Sequence, residues 1–363
     1  MDRAGAETFI MNLYRSVDKN AIQFDFLVFD DKHGAYNKEI EMLGGVIYKL
    51  PGVRDVGLKK FNKILYDFFD ENQYSVVHSH LDKNSGLILR AARKANIEMR
   101  IAHSHTTRSK VNIKIKLFRE YLRLLLLINA NHRFACSVKA GKWLFGPFLH
   151  FEVIPNVVNV KKFQFDENNR NRIRSQLGVA SNELVIGHVG RFITVKNHIF
   201  ILDIMREVLK KNSKSKLVLA GDGTLLNKIR ETALAYGIVD NICFLGVVSN
   251  VDEILSGLDC FLFPSLNEGF PVTLIEAQAN GLECIISDTI TKEIAQSDLV
   301  TFISLRNSAK YWANKIFDLT NMRILDKRNK YCSIITEAGF DVKNTANSIQ
   351  KFYDSVLVKD SDG

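Results

Sequence analysis

Short apolar runs alternate along this chain with longer stretches in which apolar residues recur every three or four places. The runs 22–29, 46–50, 74–78 and 99–102 have the length and composition of strands, and so do 183–189, 216–220, 242–245, 260–264 and 283–287. The stretches 37–43, 59–71, 84–95, 112–128, 198–209, 312–319 and 344–357 predict helices. Regular strand–helix alternation predicts an α/β chain whose parallel sheets are covered by helices, with ligands beyond the C-terminal ends of the strands. The alternation lapses over the polar run 166–175 and then restarts. At 363 residues the chain exceeds one ordinary core, so two domains are expected. They are placed at 1–160 and 161–340, with 341–363 a last helix and a polar tail.

The sharpest stretch is Ser265–Gln278, SLNEGFPVTLIEAQ. It follows a buried strand, turns at Gly269 and enters a helix with Pro271 in the first turn, which Gly281 ends. Such a turn offers the N–H groups near Gly269 and Phe270 to an anion. Glu268 and Glu276 flank that point, which suits a ligand carrying both phosphates and hydroxyls. Gly190-Arg191 and Lys196-Asn197 follow another strand and bring two cations, and Gly221-Asp222-Gly223 follows a third. In the first half, His78-Ser79-His80 and His103-Ser104-His105 stand at two strand ends. Four imidazoles invite a zinc reading, but no acid or cysteine completes a site, and no metal is expected.

The Glu-(seven residues)-Glu stretch EGFPVTLIE resembles the signature of the retaining GT-B glycosyltransferases of family 4, the glycosyl transferases group 1. Gly190–Asn197 resembles that family's GRxxxxKN loop, and Ile154–Asn159 its IPNGVD, with Val157 and Asn159 at the Gly and Asp positions. The wider chain looks like members that build bacterial capsule, exopolysaccharide or O-antigen. The resemblance implies two Rossmann-like doubly wound domains facing a central cleft. It implies a nucleotide-diphosphate-sugar donor, UDP-sugar favoured, bound by the second domain, and a lipid-linked saccharide acceptor bound by the first. Arg191 and Lys196 would grip the diphosphate beside Gly190, Gly269 and Phe270. Glu276 would take ribose hydroxyls, Glu268 the donor sugar, and Asp222 the nucleotide side. His105 would lie beside the transferred sugar, with His78 and His80 as acceptor-side candidates. No cofactor or metal is implied. In relatives a strand precedes the first loop, which carries paired glycines. Here Ala4 takes one position, Gly5 remains near the donor phosphates, and the first strand is expected to be missing.

Charge narrows the partners. Of a formal +9, residues 101–150 hold nine Lys and Arg against Glu120 alone. The predicted helix from 112 begins basic and amphipathic, and Leu124–Ile128 is expected to be buried. A basic 108–123 region suits an anionic membrane surface. Nucleic acid is the weaker alternative, since that region interleaves only Phe118 and Tyr121. No apolar run reaches the length of a membrane span, and the five scattered cysteines suit a reducing compartment. The expected location is cytoplasmic, peripheral at the inner membrane face. A nucleotide-sugar epimerase of the same fold is the enzyme alternative.

Overall fold

Every strand pair is parallel in the computed structural model, which describes residues 5–29, 34–106, 113–321 and 327–357. The chain divides into two compact units, Met1–Val157 with Val342–Gly363, and Val158–Asp341.

In the first unit β1 (Phe26–Val28) pairs with β2 (Ile47–Lys49). A second sheet runs β3 (Val76–Ser79), β4 (Met99–Ser104), β5 (His132–Ala135), β6 (Glu152–Val153). The run 22–29 forms a strand over only three residues, because β2 offers no longer partner. The predicted helix 59–71 starts earlier, at Val53, with a kink where Gly57 takes φ +75°. The last helix, Val342–Leu357, presents Val342, Ala346, Ile349 and Tyr353 along one face. They pack with Phe9, Met11 and Leu13 of the helix Gly5–Ser16.

The second unit holds six strands: β7 (Val185–Val189), β8 (Lys216–Ala220), β9 (Ile242–Gly246), β10 (Cys260–Phe263), β11 (Glu283–Ser287) and β12 (Val300–Ile303). Their order across the sheet is β9-β8-β7-β10-β11-β12. The winding direction therefore reverses between β7 and β10, which are direct neighbours. Phe261 and Phe263 of β10 join the core on one face, Cys260 and Leu262 the core on the other. Burial on both faces explains why these strands read as continuous apolar runs.

Two sequence expectations change. Pro271 is the cap residue, and the helix begins at Val272. Leu124 and Ile128 are not buried: they stand 56% and 65% exposed on the helix Ile113–Asn129. Leu122 and Leu126 are fully buried and Leu125 and Leu127 partly so, because the helix packs along one side.

Buried charge ties the second unit together. The guanidinium groups of Arg170 and Arg174 donate to Asp259 at 2.7 and 3.0 Å, and Asp259 also accepts the Val185 N–H. Arg328 donates to the carbonyls of Leu255 and Leu258 at the end of the helix Val251–Gly257, where a cation offsets the helix dipole. Asp259→Ala would leave two guanidinium groups buried without their carboxylate. The expected loss of unfolding free energy is about 3–5 kcal/mol, read by urea denaturation.

Candidate active site

The loops that follow β7 and β10 emerge side by side, at the switch point where open parallel sheets bind ligands. The Leu266 N–H donates to the Val195 carbonyl at 2.8 Å, and the Asn197 side-chain amide donates to the Pro264 carbonyl at 3.1 Å. Asn197 does this from the left-handed region, φ +57°, where Asn is tolerated better than most residues. It closes the 3₁₀ turn Thr194–Lys196 and opens the helix His198–Lys211. Asn197, the last residue of the loop motif, is thus a positioning residue, a role the motif alone does not assign it.

Those two bonds bring Lys196 against Glu268, with Nζ 2.8 Å from Oε1 and both side chains about six-sevenths covered. The ammonium also stands 4.5 Å from the centre of the Phe263 ring. Arg191 lies on the same loop, exposed to solvent. Gly221-Asp222-Gly223 backs this loop. The Asp222 carbonyl accepts the Phe192 N–H, while its carboxylate accepts the Gly223 N–H of its own turn. The contact demands glycine: a Cβ on Gly221, at φ +139°, would stand 2.1 Å from the Gly190 carbonyl oxygen. Gly269 is exposed and Phe270 half-buried, stacked 5.7 Å from Phe340.

Glu276 sits in the helix Val272–Ala279, half-buried. Burial pushes its carboxyl up to about 7; Lys162 opposes that shift and Asp252 adds to it. Lys162 and Asp252 are themselves paired at 3.3 Å.

In the first unit, the two His-Ser-His triplets meet. Cross-strand pairing of β3 with β4 forms a ladder of imidazoles. His78 Nε2 and His103 Nδ1 share a hydrogen bond of 3.1 Å, and His80 Nδ1 and His105 Nε2 one of 2.9 Å. His78 Nδ1 is bonded to the Tyr353 hydroxyl at 2.6 Å, and the backbone N–H of His105 donates to Asp82 Oδ1 at 3.0 Å. Burial holds all four rings neutral, His78 down at about 3 and His105 at about 4. The nitrogens of His78, His80 and His103 lie within 4.8 Å of one another. The cross-strand pairs stand nitrogen to nitrogen at hydrogen-bond distance, with room for one proton in each. His78 and His80, the acceptor-side candidates, both belong to this ladder, and His80 is bonded to His105. Gly5 is the first residue of its helix, exposed, with open space where a Cβ would be.

On the helix Ile113–Asn129, Leu117, Tyr121, Leu124 and Ile128 form an exposed apolar stripe, with Lys116 exposed beside it. Glu120 is paired with Lys83. Arg123 and Arg133 donate to backbone carbonyls, so part of the basic excess serves the fold. Residues 107–112 of the basic region and the Asp360–Asp362 tail lie outside the described residues. Among the described residues, no helix is long and apolar enough to cross a membrane.

Comparison with known proteins bears on these loops. The model of the family Glycosyl transferases group 1 matches residues 169–335. The Bacillus subtilis (strain 168) protein EpsF, a glycosyltransferase by name, is 36% identical over 99% of this chain and 96% of its own. An Escherichia coli enzyme named UDP-Gal:alpha-D-GlcNAc-diphosphoundecaprenol alpha-1,3-galactosyltransferase is 26% identical over 81% of this chain and 79% of its own. Among solved structures, Anabaena HepE in complex with UDP superimposes with a TM-score of 0.78, covering 97% of this chain and 96% of that one at 17% identity. The same protein has been solved with UDP-glucose, with a TM-score of 0.77, 16% identity, and coverage of 98% of this chain and 97% of that one. These relatives give no support to the epimerase alternative.

The carboxyl of Glu276 makes a testable stability signature. Between pH 4.5 and 7 the folded chain keeps a proton there that the unfolded chain has released, so this contribution is lost as pH rises through 7. Above that, the ionised buried group costs up to about 3 kcal/mol. Without ligand, Glu276→Gln should gain in thermal stability relative to the wild type between pH 5 and pH 8. A variant that loses ground over that range would show that Glu276 is not held proton-bound.

Proposed function

The chain belongs to the glycosyl transferases group 1 family, and we propose that it moves a sugar from a UDP-sugar to a lipid-linked saccharide with retention of the anomeric configuration. Its place in biology is coarser and firmer: it is a glycosyltransferase of bacterial capsule or exopolysaccharide biosynthesis. The observation that carries the proposal is the Lys196–Glu268 pair at the switch point of the second unit's sheet.

Lys196 and Glu268 hold one another while no donor is bound. An arriving diphosphate offers Lys196 a stronger anion, and Glu268 is released to accept hydrogen bonds from sugar hydroxyls. One ion pair thus prepares two contacts. Arg191, exposed on the same loop, closes on the other phosphate, and the N–H groups at Gly269 and Phe270 add fixed dipoles. Glu276 accepts hydrogen bonds from the ribose hydroxyls and does so best once ionised, above pH 7. His105, held neutral in the first unit, hydrogen-bonds a hydroxyl of the sugar without adding a cation beside the positive charge that grows on the ring.

In the transfer the bond from the anomeric carbon to the diphosphate oxygen breaks, with its electron pair staying on the phosphate. The acceptor oxygen bonds to the same face of that carbon, and its proton passes to the departing phosphate oxygen. Arg191 and Lys196 stabilise the charge that develops there, the role a divalent ion fills in other enzymes. The lipid-linked acceptor lies at a membrane surface, and the helix Ile113–Asn129 suits it: an apolar stripe to enter the interface and Lys116 to meet anionic headgroups.

Arg191→Ala and Lys196→Ala should each lower turnover of a UDP-sugar by about 10²–10³-fold with the fold intact, as measured by UDP release. Near-normal turnover in both would reject the site. Flotation with vesicles should show binding that rises with the anionic lipid fraction and drops in a Leu117→Asp, Leu124→Asp double variant. Binding indifferent to both would remove the membrane from the proposal.

A further inference from the structure

One carboxylate on the helix Ile113–Asn129 serves two cations. Glu120 accepts from the Lys83 ammonium at 2.5 Å and stands 3.7 Å from Arg123. Arg123 is anchored through Nε on the Leu144 carbonyl and turns its other end to the carboxylate. The bond from Lys83, with Arg123 and Lys116 adding to it, holds the Glu120 carboxyl below the usual carboxylate range. Glu120 is 44% exposed, whereas the Lys83 side chain is only 13% exposed, its ammonium 5.2 Å from the centre of the Trp143 ring. Two fixed cations thus share one carboxylate that water can reach. An anion of two charges or more satisfies both better than a single carboxylate does.

The surroundings determine what that anion is attached to. Leu117 and Leu124 lie one turn to either side of Glu120, so the two cations border the exposed apolar stripe. From Leu117 to Ile128 the stripe runs about 16 Å, room for a long apolar chain. On the other side, Lys83 belongs to the turn Asp82–Asn84 that follows β3, and Asp82 accepts the backbone N–H of His105. Strand ends, cations and apolar stripe therefore succeed one another within the first unit. A saccharide joined through a diphosphate to a lipid has its parts in the same order. A phosphodiester headgroup carries a single charge, too few for two cations. We propose that Lys83 and Arg123 bind the diphosphate of a lipid-diphosphate-linked saccharide, that its lipid lies along the Leu117–Ile128 stripe, and that Glu120 holds the place of the diphosphate while the site is empty.

The site rests on the lipid-linked acceptor reading and names the groups that meet its charge. Trp143 reports on it directly, because the only other tryptophan, Trp312, is fully buried in the second unit. Titration of the whole chain with farnesyl diphosphate should change the Trp143 emission, and Trp143→Phe should remove the change. Lys83→Met should weaken binding by about tenfold or more, the effect of losing a charged hydrogen bond, and Lys83→Arg should restore most of it. Glu120→Gln should tighten binding by about threefold, because no carboxylate then competes for the cations. Farnesol and inorganic pyrophosphate should each bind more weakly than farnesyl diphosphate. Wild-type affinity in Lys83→Met, weaker binding in Glu120→Gln, or farnesol binding as tightly as farnesyl diphosphate would each overturn the site. Phosphatidylglycerol vesicles that give the same emission change with the same dependence on Lys83 would assign it to phospholipid headgroups and overturn it as well. UDP release separates the site from the reading beneath it. If lipid-linked saccharides accelerate release of UDP but Lys83→Met binds farnesyl diphosphate as the wild type does, the site falls and the acceptor reading stands. If farnesyl diphosphate binds as expected and no lipid-linked saccharide accelerates release, the acceptor reading falls and the diphosphate site stands.

Discussion

The second unit depends on the adjacency of β7 and β10. Because these strands pair directly while the chain winds away from them in opposite directions, the loops at their ends emerge together with no helix between them. Two hydrogen bonds, Leu266 to Val195 and Asn197 to Pro264, turn that adjacency into a fixed geometry. Lys196 and Glu268 are 72 positions apart in the chain, yet their charged atoms stand 2.8 Å apart. A cation and a carboxylate are held there at contact and mostly out of water, each stabilised by the other.

The first unit solves a different problem. Four histidines near the ends of two neighbouring strands would be costly to bury if charged. Pairing them across β3 and β4 satisfies most of their nitrogens, and burial keeps every ring neutral. Asp82, with a left-handed backbone at φ +48°, takes the backbone N–H of His105 on its carboxylate and so holds the end of the strand that carries the ladder. The result is a rigid neutral imidazole at the strand tip, suited to hydrogen bonding and unsuited to carrying a charge of its own.

Much of this was legible in the residues. Apolar runs covered on both faces announce parallel strands, and the loops carrying Arg191, Lys196 and Glu268 are marked by the strands before them and by the family motifs they resemble. The ladder was not legible, because a spacing of two within each triplet says nothing about the register between β3 and β4. The exposed Leu124 and Ile128 were misjudged for a similar reason: five successive apolar residues look buried all round, while helix packing covers one side only.

Sequence alone determined the strand–helix alternation, the family signature and the residue types at each loop, because these are properties of neighbours along the chain. Tertiary structure decided which loops meet, that Lys196 is held by Glu268, that His80 supports His105, and that Glu276 is pushed towards neutrality. Each of those follows from contacts between segments far apart in the chain, and from the loss of water around them, which no local pattern encodes.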